Sequence, residues 1–268
     1  MVNNPTCPVM RLKFSVDINC DLGESYGAFK VGNDAKIMPY ITSANIACGF
    51  HAGDPLTMAQ TIALAKKHGV AVGAHPGYPD LMGFGRREMQ LTYEEAKGYI
   101  IYQVGALQGF AKVFGVDLQH IKPHGAMYNT ALKDVELAKA IVEAIAELDG
   151  NLIVFAPPKS ALAKAAAEAG LRVAYEFFAD RAYNPDGSLV SRKKLGSIIE
   201  EPKKVVERAV KAVKEGLVEA FNGEIVELGV VQTICVHGDT PTAVKLVQAL
   251  RSGLAKAGVE VKPVSHFI

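Results

Sequence analysis

Short apolar runs alternate with amphipathic stretches along almost the whole chain. Leu12–Asn19 has strand character and is followed by the polar loop Cys20-Asp21-Leu22-Gly23-Glu24-Ser25. Further strand-like runs are Ser43–Ala47, Val70–Ala74, His120–Pro123, Leu152–Ala156, Arg172–Phe178 and Thr233–Val236. Ile225–Leu228 reads as a small extra strand and Glu260–Val264 as a closing one. Between them lie helical patterns over Pro55–Lys67, Thr92 to about Phe114, Asp134–Leu148, Ser160–Ala169, Pro202–Leu217 and from Thr240-Pro241 onward. Thr92 and Glu95 have the spacing of a capping box, Asp54 and Asp134 suit N-caps, and Pro55 suits a first helical position. Val206, Ala209, Val210, Val213 and Leu217 share one helical face, as do Ala243, Val247, Leu250 and Leu254.

Roughly seven or eight β–α units in series, without a linker or low-complexity break, predict one parallel-sheet domain over residues 12–268. A (β/α) barrel, seven- or eight-stranded and irregular, fits best, and a doubly wound open sheet is the alternative. Residues 1–11 read as a flexible extension, without the charged and apolar segments of a signal peptide.

Composition narrows the function. The net charge of +1 supplies no basic field for nucleic acid. No apolar run is long enough to span a membrane. The four cysteines have no CxxC spacing, which excludes a zinc finger and fits a reducing, cytoplasmic setting. No GxxxxGK[ST] and no GxGxxG opening a helix after the first strand occurs, so no P-loop or dinucleotide fingerprint is present.

In a (β/α) barrel, chemistry gathers at the C-terminal ends of the strands. Those ends carry Asp17, Asn19 and Asp21, then Asn45 and His51, then His75, then Lys122 and His124, then Glu176 and Asp180, and finally His237 and Asp239, while Asp21 and Glu24 on a glycine-bearing loop suit orienting a histidine or activating water. His51, His75, His124 and His237 each follow a strand, whereas His68 ends a helix, His120 begins a strand and His266 lies near the C-terminus. One such histidine is ordinarily structural; four on successive strand ends converge on one mouth. Carboxylates beside histidines suit general acid–base work or hard-metal binding. No local spacing demands a metal, and a metal there would draw on Asp21, His51, His75 and His124. Arg86 and Arg87 read as rim residues able to close over an anionic group.

The motifs Asp17–Glu24, Ser43–Pro55, Gly73–Asp80, Gly83–Arg87, Lys122–Asn129, Phe178–Tyr183 and Cys235–Pro241 together resemble the LamB/YcsF family. The resemblance runs from about Lys13 to the C-terminus, with Ala156-Pro157-Pro158-Lys159-Ser160 as a departure after the fifth strand. It implies a divergent (β/α) barrel related to glycoside hydrolases and carbohydrate deacetylases. It also implies the A subunit of an ATP-dependent 5-oxoprolinase, which opens the lactam of 5-oxo-L-proline to L-glutamate together with subunits B and C. ATP is then a co-substrate of the complex, accompanied by a divalent metal such as magnesium. On that reading Asp21, His51 or His124 activates water, and His75 and His237 donate to the oxyanion. Lys122 or an arginine such as Arg86 holds the carboxylate, and Asn19, Glu24, Asn45 and Asp180 complete the substrate site. Two other functions fit the same residues: a stand-alone metal-dependent deacetylase or amidohydrolase, and a non-catalytic ligand-binding subunit.

Overall fold

Seven parallel strands close into a barrel in the computed structural model, which describes residues 14–268. The extension expected over residues 1–11 lies outside the described residues. In chain order the elements are β1 (Phe14–Leu22), α1 (Asp34–Ile37), β2 (Ser43–Ala47), α2 (Pro55–His68), β3 (Ala71–His75), α3 (Tyr93–Phe114) and β4 (Leu118–Ile121). They continue with α4 (Gly125–Ala131), α5 (Val135–Asp149), β5 (Ile153–Ala156), α6 (Ala161–Glu168), β6 (Val173–Phe178) and α7 (Pro202–Glu215). Last come β7 (Leu217–Glu219), β8 (Ile225–Glu227), β9 (Thr233–Val236), α8 (Ala243–Lys256) and β10 (Val259–Val261).

The barrel order is β1-β2-β3-β4-β5-β6-β9, and β9 pairs back onto β1 with Asp17 opposite Thr233 and Asn19 opposite Cys235. That pairing removes both sheet edges, so the sheet is closed rather than doubly wound. The first half of β1 takes β10 as its neighbour instead, Phe14–Val16 lying opposite Val259–Val261. One long strand thus serves two partners, which is the irregularity of the barrel.

Local chemistry explains where the helices begin. Asp54 accepts from the Thr57 N–H, Asp134 from Glu136 and Leu137, and Ser160 from Ala163. Thr92 and Glu95 form both halves of a capping box. Two elements differ from the sequence expectation. The helix expected to reach Leu217 stops at Gly216, and Leu217–Glu219 instead pairs antiparallel with Ile225–Glu227 as a ribbon outside the barrel. Gly125–Ala131 is a short helix in a segment whose period is too brief to register. Among the described residues no helix is long and apolar enough to cross a membrane.

The apolar core lies between barrel and helices. Ile18, Leu22, Ile46, Val72, Ile121, Val154, Phe177 and Ile234 pack outward against Ile62, Val104, Leu107, Ile141, Leu162, Leu246 and Leu250 in one continuous cluster. Burying these side chains contributes about 1.5–3 kcal/mol each before entropy is counted. A second, small cluster of Ile153, Phe155, Ala174 and Val264, with Phe267 and Ile268 against it, packs the C-terminal residues onto β5 and β6.

Candidate active site

With the apolar side chains facing outward, the alternate positions of each strand face the barrel axis. In β1 these are Asp17, Asn19 and Asp21; the other strands bring Ser43 and Asn45, His75, His120 and Lys122, Glu176, and Thr233 and Cys235 into the same network. The interior is therefore polar, and it is stable only because its members satisfy one another.

At the deepest level Asp17 accepts from the hydroxyls of Thr42 (2.6 Å), Ser43 (2.7 Å) and Thr233 (2.5 Å). Burial outweighs those bonds and pushes its carboxyl up to about 6. One level up, the Asn19 amide donates to Glu176 Oε1 (3.0 Å) and Thr233 Oγ1 (2.7 Å), while Asn45 donates to Asn19 Oδ1 and Asp21 Oδ1, both at 2.8 Å. His120 Nε2 meets Asn45 Oδ1 at 2.6 Å, and its ring stacks on Phe155. That ring lies where a side chain on Gly73 would stand, so β3 needs glycine there.

Lys122 is the cation of the network. Its Nζ lies 2.9 Å from Glu176 Oε1, 3.1 Å from Asp21 Oδ1, 3.2 Å from Asn19 Oδ1 and 3.0 Å from Cys235 Sγ. Burial opposes the charge, but Asp21, Cys235 and Glu176 outweigh it and raise the ammonium well above its ordinary value. For Asp21 burial likewise works upward, and His75 and Lys122 outweigh it, so this carboxylate stays ionised. Three N–H groups facing four acceptors leave none for a ligand. Lys122 is thus not the residue that holds a substrate carboxylate; it positions Asp21 and Glu176.

At the mouth, three imidazoles and a carboxylate face one another. His75 Nδ1 lies 2.7 Å from the Lys122 carbonyl and His124 Nε2 lies 2.9 Å from the Phe84 carbonyl. Carbonyls only accept, so each of those nitrogens carries the proton, and in the neutral rings His75 Nε2 and His124 Nδ1 present lone pairs. These two atoms are 2.9 Å apart. His75 can thus serve as the oxyanion donor expected of it only in its doubly protonated form, with a proton on Nε2 as well, 3.5 Å from Asp21 Oδ1. His51 stacks face to face on His124, centroids 3.7 Å apart with 2° between planes. Burial is the main force lowering the pKa of both rings and keeping them neutral. Glu24 Oε1 stands 3.6 Å from His51 Nε2 and 3.7 Å from His124 Nδ1. Burial, with Asp21 nearby, pushes the Glu24 carboxyl well above its usual range.

His237 Nδ1 lies 3.0 Å from both carboxylate oxygens of Asp180, whose Oδ2 also accepts the His237 backbone N–H at 3.0 Å. Burial works to raise Asp180, but His237 outweighs it and holds this carboxyl below its ordinary value. The pair leaves His237 Nε2 as the working nitrogen, a lone pair when neutral and an N–H when protonated. His237 also lies with Asp21 and Cys235 in one group whose donor atoms are within 4.8 Å of one another.

The loop after β3 roofs the histidines. Gly85, at φ +63°, passes so close that a Cβ there would stand 2.6 Å from His51 Cβ and 2.9 Å from His124 Cδ2. Neighbouring Phe84 holds φ 55°, a strained value for a bulky residue, and turns its carbonyl to His124. Asp80 ties the loop by an ion pair to Arg87, and Arg86 reaches across to Asp239 of the β9 loop at 2.5 Å. At the end of β6, a cavity of about 410 Å³ is lined by Glu176, Phe178, Tyr183, Lys133 and the Pro157–Ser160 loop.

Asp21, Glu24, His51, His75 and His124 thus lie together, with Asn19, Asn45 and Lys122 beneath them and the Asp180–His237 pair beside Asp21. Arg86 is at the rim. The carboxylate that joins the three histidines is Glu24; Asp21, expected with them as a metal ligand, is engaged by Lys122 and Asn45. Sequence reasoning sets His120 aside and leaves out Tyr128, which donates to Glu176 at 2.6 Å, and Cys235. Two of these have a signal: the alternation His120, Lys122, His124 through and just beyond β4, and Thr233, Cys235, His237 through and just beyond β9, puts them on the inner face.

The LamB/YcsF family model matches residues 16–268. The A subunit of the 5-oxoprolinase of Pyrococcus abyssi is 58% identical over 253 residues, covering 94% of this chain and 99% of that protein. The crystal structure of a lactam utilization protein from Thermus thermophilus superposes with a TM-score of 0.88 at 48% identity, over 92% of this chain and 99% of that one. The crystal structure of an Enterococcus faecalis protein shares only the fold, with a TM-score of 0.61 at 12% identity over 95% of this chain and 98% of that one. The chain belongs to the LamB/YcsF family.

Proposed function

We propose that this chain is the lactam-handling subunit of an ATP-dependent 5-oxoprolinase, acting with partner subunits. The observation that carries this reading is 58% identity over nearly the full length to a protein named as the A subunit of 5-oxoprolinase. The geometry supports it: the mouth offers acid–base groups and a small cavity, yet no P-loop. Amide hydrolysis needs an attacking water, a proton acceptor and a proton donor for the leaving nitrogen. Held by Asp180, His237 Nε2 suits both proton steps, taking one from water and returning it to the ring nitrogen as the C–N bond breaks. Lys122 keeps Asp21 ionised beside it. Arg86 and the lysines lining the cavity supply positive charge at the rim for the carboxylate of 5-oxo-L-proline. One water opens the lactam and a second hydrolyses ATP, with nucleotide chemistry carried by the partner subunits or a shared surface.

The test is glutamate release from 5-oxo-L-proline by purified chain, with and without the partner subunits and ATP. Turnover that requires all components supports the reading. ATP-independent amide hydrolysis by the isolated chain would replace it with a stand-alone amidohydrolase, the reading that the histidine cluster itself favours.

A further inference from the structure

Three buried polar atoms at the mouth have no hydrogen-bond partner, and two more face each other nitrogen to nitrogen. Glu24 Oε1 and both ring nitrogens of His51 have no hydrogen-bond partner although fully buried. His75 Nε2 and His124 Nδ1 meet at 2.9 Å, and with both rings neutral they turn lone pairs toward each other, the ring N–H groups being committed to the carbonyls of Lys122 and Phe84. Two facing lone pairs repel, and an unsatisfied buried polar atom costs about 1–3 kcal/mol. A positive centre among them removes both costs.

We propose that Glu24, His51, His75 and His124 bind a single transition-metal dication of the zinc class, through Glu24 Oε1, His51 Nε2, His75 Nε2 and His124 Nδ1. All four atoms lie within 4.8 Å of one another. Tetrahedral zinc with ligand bonds of about 2.0–2.2 Å sets its donors about 3.4 Å apart. The spacings 2.9, 3.6 and 3.7 Å bracket that value, and His51, stacked parallel on His124 but held by no hydrogen bond, must turn out of that stack for its lone pair to reach the ion. Three imidazoles with one carboxylate select zinc, cobalt, nickel or iron; magnesium prefers oxygen and water. The site is therefore not the one for the magnesium that accompanies ATP. The backbone carbonyls that orient His75 and His124 are the outer partners such a site needs, and they fix each ring with its lone pair inward. When bound, a dication polarises an amide carbonyl or lowers the pKa of a bound water. Asp21 Oδ1, 3.5 Å from His75 Nε2, then stands at the edge of the site as a proton acceptor.

A proton shared between His75 and His124 is the competing occupant, and metal binding separates the two. The full-length, untagged chain is stripped with a chelator, checked for folding by circular dichroism, and titrated with zinc and with cobalt(II). The expected result is uptake of about one ion per chain, a visible cobalt band of tetrahedral intensity, and no displacement by millimolar magnesium. His51→Ala lowers zinc affinity by about 100-fold or more, and Glu24→Gln, nearly isosteric and safer for folding, by about 10-fold or more. His68→Ala and His266→Ala, outside the cluster, change nothing. Failure of the folded chain to take up stoichiometric metal, or uptake unaltered in both Glu24→Gln and His51→Ala, overturns the proposal. The readout is metal binding, so it stands or falls apart from the 5-oxoprolinase reading.

Discussion

His75 and His124 meet nitrogen to nitrogen, Nε2 to Nδ1 at 2.9 Å, each donating a hydrogen bond from its other ring N–H to a backbone carbonyl. Opposite tautomers follow from that arrangement. Long-range ¹H–¹⁵N correlation spectra of the metal-free chain at pH 8 are expected to show His75 protonated at Nδ1 and His124 at Nε2. The reverse assignment for either ring would contradict the geometry.

Lys122 sits 2% exposed between Asp21 and Glu176. Lys122→Met leaves both carboxylates buried without their cation, and removing one partner of a buried ion pair costs about 3–5 kcal/mol. The expected loss in Tm is about 10 °C for a chain of this size. Adding Glu176→Gln to Lys122→Met is expected to restore part of the loss. A single Lys122→Met variant as stable as the parent would remove Lys122 from its structural role.

Asp17 makes stability depend on pH in a defined direction. Its pKa rises from 3.8 unfolded to about 6 folded. Between those values the folded chain holds more protons than the unfolded one, so stability falls as pH rises. The contribution is complete below about pH 3.8 and gone above about pH 6. Going from pH 4.5 to pH 7, the parent is expected to lose about 2 kcal/mol, or about 5 °C in Tm, relative to Asp17→Asn. Parallel melting curves across that range would contradict a buried, titrating Asp17.

Gly85 carries the roof over His51 and His124. Gly85→Ala adds a Cβ at 2.6 Å from His51 and strains a φ of +63°. The expected outcome is a loss of about 1–3 kcal/mol in stability. Turnover of the reconstituted complex is expected to fall at least 10-fold in kcat, because the clash displaces the histidines rather than the rim. An unchanged kcat would show that the roof does not set the site.

Much of the barrel and its mouth is legible in the sequence. Ser43–Ala47 and Thr233–Val236 are strands with the expected bounds, because a short buried run between turn residues has few alternatives. The capping box at Thr92 and Glu95 marks its helix start for the same local reason. Closure of the barrel is not legible, since the β1–β9 pairing joins residues more than 200 positions apart by backbone bonds that leave no mark on side-chain pattern. His120 reads as a strand start, yet its place inside the barrel is made by Gly73 on a neighbouring strand. Lys122 looks available in the sequence because a lone lysine at a strand end does not reveal four acceptors from three other strands. Glu24 is separable from Asp21 only in three dimensions, where one carboxylate is satisfied and the other is not.

The most direct test of the account is turnover of the reconstituted complex in which this chain carries Asp21→Asn together with His51→Ala, with folding verified by Tm. ATP-dependent glutamate release is expected to fall by at least about 1,000-fold while the complex still assembles, in line with removing acid–base and positioning groups together. Release at the parent rate by the assembled double variant would show that the lactam is opened elsewhere, and that the mouth of this barrel is not the active site.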